Sequence, residues 1–291
     1  MQPFVHNFKA MGGPGQIQVP DTPQAQSALH AALAELQRLE AQYSRYRPDS
    51  VVSTINANAG LRPTVCDAET WSLLDFAQQL YERSQGLFDI TSGVYRRAWN
   101  YASGQMPEQS TLEQLQPLVG WSKVERNAGH IGLPQKGMEI DLGGLVKEYA
   151  VDRVCMVLQS HGVESALVSL AGDLKAIGTK LDGQPWQAGI AHPRKPGQLM
   201  ASIALHNMAL ATSGDYERVI VLNGQRYAHI IHPHTGWPVS HWQSVSVQAP
   251  SCLVAGGIST LAMLMQAQGL AFLQETGLSF LAIDPNGEAL Q

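Results

Sequence analysis

The chain has 291 residues, of which 44% are apolar and 15% are charged, and its formal net charge is −5. This length and balance predict a globular protein, and we expect residues 1–291 to form a single domain. Nucleic-acid binders neutralise phosphates with clustered Lys and Arg, and this acidic chain has no such cluster, so we do not expect a nucleic-acid partner.

The cysteines and the N-terminal segment indicate the cellular compartment in which the protein is expected. Cys66, Cys155 and Cys252 are far apart and lack CxxC spacing, which is typical of reduced core thiols. The first residues contain no long apolar run and no small-residue cleavage site, so the sequence predicts neither a signal peptide nor a membrane span. We therefore expect a cytoplasmic location.

The N-terminal half is predicted to be mainly helical. Asp21–Tyr46 opens with a capping residue and a proline and continues with leucines at helical spacing, which predicts an amphipathic helix. Asp67–Ser84 predicts a second helix, stopped by Gly86. The stretch Ala102–Pro134 is predicted to be rich in loops.

Strands and helices mix in the C-terminal half. Met138–Leu142 is predicted to be a strand, Leu145–His161 a helix ended by Gly162, and Ala166–Leu170 another strand.

The last third of the chain carries the clearest hairpin signal. Arg218–Leu222 and Gln225–Ile231 flank an Asn-Gly pair, which predicts a β-hairpin. Val245–Ala249 is predicted to be a strand, and Cys252–Gln268, capped by Ser251, a last long helix. Because hairpins and helices mix without regular βαβ alternation, the predicted fold class is α+β.

Glycine-containing polar segments are the first candidates for a site. The run Asp141-Leu-Gly-Gly-Leu-Val-Lys147 places a carboxylate and a lysine at a helix start, where free N–H groups attract phosphate. A plain strand-to-helix turn is equally consistent with it. Thr212–Tyr216 and Gly86–Thr91 also carry acids beside glycine, but alone each favours an ordinary turn.

Three histidines, His229, His232 and His234, fall within six residues. Three imidazoles could hold a transition metal, but residues three apart on an extended strand point to opposite faces. His232-Pro-His234 is also expected to be a bend. We therefore predict that a single one of these histidines serves a phosphate and that the other two are solvated.

Motifs over nearly the whole length of the chain follow the order of one known family: Ala10-Met11-Gly12, Tyr43–Tyr46 with Asp49, Ser50 and Asn56, Gly86–Thr91 with Trp99, Asp141–Asp152, Leu167–Asp173, Ala211–Tyr216, His229–Val239 and the helix Ala255–Met265. In these motifs the chain resembles the ApbE-type FAD:protein FMN transferases. The resemblance implies an α+β, T-fold-like domain in which helices flank antiparallel sheets, with a ligand cleft between two lobes.

The resemblance also implies a reaction and a set of site residues. FAD is cleaved with the help of Mg²⁺, AMP leaves, and FMN is joined by a phosphoester to a Thr or Ser of a partner flavoprotein. His229 would be catalytic, the carbonyl of Gly144 and the hydroxyl of Thr260 would meet the metal, and Ser259 could compensate for a missing ligand. The residues implied to bind FAD are Met11, Tyr46, Leu87, Phe88, Asp89, Asp141, Lys147, Asp173, Thr212 and Ser213.

The chain departs from the family pattern at five positions, two of which are His232 and His234, where the family usually has Asp and Arg. The last helix of the family begins Ala-Asp-x-x-x-Thr with the Asp as a metal ligand, but here Gly256 takes that place and Thr260 remains. A lost carboxylate should weaken Mg²⁺ binding, and Gly256→Asp should then strengthen it. Glu148 stands where glycine is usual, and Ala171 interrupts a Gly-Gly-Asp run.

These departures leave three functions open. A flavin transferase that tolerates an altered metal site is favoured. An FAD pyrophosphatase that yields FMN and AMP would need the same pocket with water as the nucleophile. A non-catalytic FAD-binding protein is suggested by Gly256 alone.

Overall fold

A computed structural model describes residues 3–291. Seven α-helices lie in this range: α1 (Pro23–Tyr43), α2 (Val51–Ala57), α3 (Ala68–Arg83), α4 (Gln109–Leu115), α5 (Val146–Ser160), α6 (Cys252–Met265) and α7 (Gly269–Thr276). Fifteen strands lie in the same range: β1 (Phe4–Ala10), β2 (Gly13–Val19), β3 (Thr64–Val65), β4 (Glu125–Asn127), β5 (His130–Gly132), β6 (Ala166–Leu170), β7 (Asp173–Ile177), β8 (Trp186–Ala191), β9 (Leu199–Leu205), β10 (Ala209–Gly214), β11 (Val219–Leu222), β12 (Gln225–Ala228), β13 (Ser244–Ala249), β14 (Ser279–Ile283) and β15 (Ala289–Leu290).

The main sheet is open and wholly antiparallel. Its eight strands follow the order β1-β2-β6-β7-β10-β13-β14-β15. The strands β8 and β9 form a separate antiparallel pair, as do β11 and β12. The predicted α+β class is confirmed.

The main sheet is covered on both faces. Along β10, Ala209 and Ala211 join the core beneath the helices, whereas Leu210 joins a second cluster with Trp186 and Leu205 of the β8–β9 pair. Successive side chains of a strand point to opposite faces, so this alternation gives three layers. The helices α5 and α6 pack on one face of the sheet, and α1 packs on α5. By the same alternation Ser213 shares the face of Ala211 and points towards α6.

Most predicted elements are present with shorter ends. The helix predicted over Asp21–Tyr46 is α1, which starts after Thr22, whose hydroxyl accepts from the Ala25 amide at 3.2 Å, and ends at Tyr43. The last predicted helix ends at Met265 and continues only as a 3₁₀ turn to Gln268.

The predicted strand Met138–Leu142 is wrong. Its apolar residues are buried as expected, but its backbone pairs with a side chain instead of a strand. The Ile140 amide donates to the Asn56 side chain at 2.7 Å, and the Asn56 amide group returns a bond to the Ile140 carbonyl at 3.0 Å. The Asp141 amide donates to the Ile90 carbonyl at 2.8 Å.

Two further predictions need correction at their ends. The hairpin forms with Asn223 and Gly224 both at positive φ, but β12 stops at Ala228, so His229 follows the strand and is not part of it. The stretch Ala102–Pro134 is more ordered than predicted, because it contains α4, β4 and β5.

The three cysteines are free and buried, which confirms their prediction as core thiols. Within residues 3–291 one helical stretch, Cys252–Thr276, is long and apolar enough to cross a membrane, with a mean hydropathy of 1.3. Just over half of that window, 56%, is buried in the fold, and α6 packs against β10 and β13. This is how the core helix of a globular domain behaves.

Replacing Gly236 by alanine is expected to destabilise the fold more than replacing Gly224. Both glycines have positive φ, 71° and 78°, which costs another residue about 1–2 kcal/mol. A Cβ on Gly236 would also lie 2.7 Å from the Tyr95 ring, whereas one on Gly224 would meet nothing within 4 Å. Urea denaturation should show a larger loss for Gly236→Ala, and equal losses would contradict this account of the turn.

Candidate active site

Six polar side chains and one backbone amide meet where α5 and α6 pack on the sheet. They come from the first turn of α5, the start of β7, the end of β10 and the middle of α6. We call this group the polar cluster; its members are Lys147, Glu148, Asp173, the Thr212 amide, Ser213, Ser259 and Thr260. The Thr212 side chain points to the other face of the sheet, where its hydroxyl lies 2.8 Å from Ser246 Oγ.

An ion pair lies at the centre of the polar cluster. Asp173 is 1% exposed, pairs with the ammonium group of Lys147 and accepts from the Thr212 amide at 3.0 Å. The Nζ of Lys147 also lies 3.2 Å from Oε1 of Glu148. Burial acts to lower the pKa of Lys147, but the two carboxylates outweigh it and hold that pKa above its ordinary value. Lys147 is therefore a fixed positive charge.

The hydroxyls of the polar cluster link β10 to α6. Ser213 Oγ lies 2.8 Å from Ser259 Oγ and 3.0 Å from Thr260 Oγ1. Ser259 is fully buried and donates its proton to the Gly256 carbonyl at 3.0 Å. Thr260 is only half-buried. Of the two hydroxyls implied to meet a metal, Thr260 is the more accessible.

Asp152 of α5 fixes the start of α6 and so the geometry of the site. Its carboxylate accepts from Ser251 Oγ at 2.7 Å and from the amides of Cys252 and Leu253 at 3.0 and 2.9 Å. Lys175 of β7 donates to the same carboxylate at 2.7 Å. Asp152 therefore holds α5, α6 and β7 together, a role that sequence reasoning did not assign to it.

A second charged group lies before α5. Asp141 pairs with Arg45 and accepts from the Gly143 amide at 2.9 Å. The guanidinium of Arg45 lies 4.9 Å from the ring centre of Tyr46 and donates to its hydroxyl at 2.8 Å, which is the main reason that the pKa of Tyr46 is lowered. Tyr46 is 80% exposed, so this aromatic ring is free to stack on a ligand.

His229 lies within the electrostatic reach of the polar cluster. The residue is exposed, but the protein around it reduces the hydration of the charged ring. This desolvation, followed by the positive charges of Arg218 and Lys147, lowers the pKa of His229 to about 4. The imidazole is therefore neutral at pH 7 and can accept a proton.

A model of the ApbE family matches residues 11–282. The chain belongs to the ApbE family. It is 32% identical over 283 residues to the FAD:protein FMN transferase of Treponema pallidum, an alignment that covers 89% of this chain and 78% of the relative. It is 34% identical over 241 residues to the FAD:protein FMN transferase of Haemophilus influenzae, covering 78% of this chain and 69% of the relative.

Solved ApbE structures share the fold. The ApbE protein of Thermotoga maritima superposes with a TM-score of 0.91 at 29% identity, covering 100% of this chain and 97% of that one. The flavin transferase ApbE of Vibrio cholerae gives a TM-score of 0.87 at 26% identity, covering 99% and 96%. These likenesses confirm the ApbE-like fold that the sequence motifs implied.

In the ApbE motif Gly86–Thr91, the acidic side chain forms its hydrogen bonds within the protein. The Asp89 carboxylate is buried and accepts from the amides of Thr91 and Trp121, both at 2.8 Å, and from the Thr91 hydroxyl at 2.5 Å. Its oxygens are thus engaged by its own chain, and Asp89 shapes the loop. The predicted contact of Asp89 with FAD stays a prediction.

The remaining residues implied by the ApbE resemblance occupy three other places. Met11 lies at the tip of the β1–β2 hairpin, where its amide donates to Glu40 at 2.5 Å. Phe88 is buried and Leu87 half-buried. Gly144 is exposed, and a Cβ there would meet nothing within 4 Å, so a ligand could approach this backbone closely.

We expect the pKa of His229 to lie near 4 in the free protein, well below the ordinary value of 6.5. The ring has its ordinary pKa of 6.5 in the unfolded chain and a pKa of about 4 in the folded protein, so the unfolded chain binds the proton more readily. Protonation of His229 therefore lowers the free energy of unfolding as the pH drops from 6.5 towards 4. NMR titration of the ring nitrogens, with the signal assigned by His229→Asn, measures the midpoint. A midpoint near 6.5 would contradict the environment described for this ring.

Proposed function

We propose that this chain is an FAD:protein FMN transferase. It would cleave FAD, release AMP and join FMN by a phosphoester to a Thr or Ser of an acceptor flavoprotein. Membership of the ApbE family and the names of the relatives support the transferase activity. The observation that carries the proposal is the convergence of Lys147, Asp173 and Ser213 within the electrostatic reach of a neutral His229.

The polar cluster suits the diphosphate of FAD. Lys147 offers a positive charge, held in place by Asp173, that offsets the charge of the diphosphate as the bond to AMP breaks. The first amides of α5 have no partners within the helix, so the positive end of the helix dipole lies at the turn that carries Lys147. The hydroxyl of Ser213, which lies 3.0 Å from Thr260 Oγ1, can donate to a phosphate oxygen.

In this reaction His229 would accept the proton of the acceptor hydroxyl. A Thr or Ser hydroxyl attacks phosphorus more readily when a positioned base removes its proton. The lowered pKa keeps His229 neutral, so that it is available as this base throughout the neutral range. The exposed Tyr46 ring and half-buried Leu87 offer apolar surface to the flavin or the adenine.

The residues present also fit Mg²⁺. No group of three or more His, Cys, Asp or Glu side chains that could hold a metal occurs in the described part of the chain. Mg²⁺ does not need one, because it takes one or two carboxylates, keeps several waters and uses substrate phosphates. Thr260 Oγ1 and a buried carboxylate oxygen of Glu148 without a partner are oxygen donors of this kind, and the ApbE resemblance adds the Gly144 carbonyl. When bound, Mg²⁺ would supply charge neutralisation at the diphosphate.

One experiment tests the proposal against its alternatives. The chain is incubated with FAD, Mg²⁺ and a flavoprotein acceptor domain, and both AMP release and acceptor mass are followed. An acceptor heavier by FMN supports the transferase. Release of AMP and FMN without labelling would instead indicate an FAD pyrophosphatase, and bound but intact FAD a non-catalytic flavin-binding protein.

A further inference from the structure

We propose that Glu148 supplies the carboxylate that binds the divalent cation of this site, from α5 instead of α6. The inference rests on the proposed function, because that reaction calls for a cation at the diphosphate. Glu148 is only 6% exposed. Its Oε1 lies near Lys147, but its Oε2 is buried and has no hydrogen-bond partner. A buried carboxylate oxygen without a partner is costly, and a bound cation would satisfy it.

The side chain of Glu148 lies over Gly256 of α6. A Cβ built on Gly256 would lie 2.5 Å from Cγ, 3.0 Å from Cδ and 3.1 Å from Oε1 of Glu148. The glutamate therefore fills the space that a side chain at position 256 would take. Two positions where this chain departs from the family pattern, far apart in sequence, are thus in direct contact, and each departure makes room for the other.

The hydroxyls that would complete the site lie on the same face of α6. Residues four apart on a helix lie one above the other, so Thr260 follows Gly256 on the face that Glu148 covers. Thr260 Oγ1 is 3.0 Å from Ser213 Oγ, which extends the oxygen-rich surface onto β10. One carboxylate, hydroxyls, water and phosphate oxygens together match the ligands that Mg²⁺ prefers.

This geometry corrects the expectation for Gly256→Asp. With Glu148 in place, the new side chain would collide with Cγ and Cδ, so the single substitution should not strengthen cation binding. The double variant Glu148→Gly with Gly256→Asp removes the obstacle and moves the carboxylate from α5 to α6.

Mn²⁺ titration of the full chain, with and without FAD, tests the assignment without measuring turnover. Mn²⁺ shares the preference of Mg²⁺ for carboxylate and carbonyl oxygens, and its free concentration is read by electron paramagnetic resonance. We expect Glu148→Gln, which keeps the shape of the side chain, to weaken Mn²⁺ binding by about tenfold or more. The double variant should recover most of that loss. Glu139→Gln changes a carboxylate paired with Arg96 and Arg97 and serves as the matched control.

The outcomes separate this inference from the proposed function. An unchanged Mn²⁺ titration in Glu148→Gln would overturn the assignment of Glu148 as the cation ligand. A wild-type chain that binds no Mn²⁺ when FAD is present would also overturn it. Thermal melting of each variant distinguishes lost binding from lost folding. If the wild-type chain binds Mn²⁺ through Glu148 but labels no acceptor, the ligand assignment stands and the proposed transferase activity fails.

Discussion

Replacing Lys147 by methionine is expected to slow FMN transfer by about 10²–10³-fold. The ammonium group is the fixed positive charge of the polar cluster, and methionine keeps its length while removing that charge. Since the charge acts mainly as the phosphorus–oxygen bond breaks, the loss should fall on kcat more than on KM. Single-turnover release of AMP from bound FAD measures the step directly.

The control for this variant is Lys195→Met, at an exposed lysine between β8 and β9. It changes the net charge by the same amount away from the polar cluster and should leave the rate unchanged. Thermal melting checks that Lys147→Met still folds, because Asp173 loses its partner in that variant. If a folded Lys147→Met chain released AMP as fast as the wild type, Lys147 would not be acting on the diphosphate.

Replacing Asp152 by alanine is expected to cost about 3–5 kcal/mol of the free energy of unfolding. The carboxylate accepts four hydrogen bonds, from Ser251, Cys252, Leu253 and Lys175, and all four would lose their acceptor. Two of the lost donors are amides of the first turn of α6, which then have no capping group. Urea denaturation at pH 7 measures the loss.

Lys175→Met is the matched variant, because it removes one of these four bonds and leaves the helix cap in place. We expect it to cost about 1–2 kcal/mol, clearly less than Asp152→Ala. Equal losses in the two variants would mean that the ion pair, and not the cap of α6, holds the helices together.

Local signals in the sequence were sufficient for elements whose backbone hydrogen bonds are satisfied locally. The Asn-Gly pair specifies the β11–β12 hairpin because both residues accept positive φ. Ser251 and the apolar run after it specify α6, and the Ser251 hydroxyl accepts from the Val254 amide at 3.3 Å. The run Met138–Leu142 misled because its backbone bonds go to Asn56 and Ile90, which no local pattern reveals.

The site residues divide in the same way, into those that local motifs predict and those that depend on the packing of distant elements. The motifs that carry Lys147, Ser213 and Thr260 meet in one cluster, because each lies in a run of fixed local shape. That these residues bind FAD or a metal stays a prediction. The contact between Glu148 and Gly256 could not be predicted, since it joins two helices whose packing the local sequence does not specify. Contacts of Asp89 were likewise not predictable, because its oxygens accept from the amides of Thr91 and, 32 residues away, Trp121.

The most direct test is a crystal structure of the chain with FAD and Mg²⁺. We predict the diphosphate within hydrogen-bond distance of Lys147, Thr212 or Ser213, the ion between it and α6, and His229 facing the bond that breaks. FAD bound with its diphosphate away from these residues would contradict the site and the reaction proposed for it.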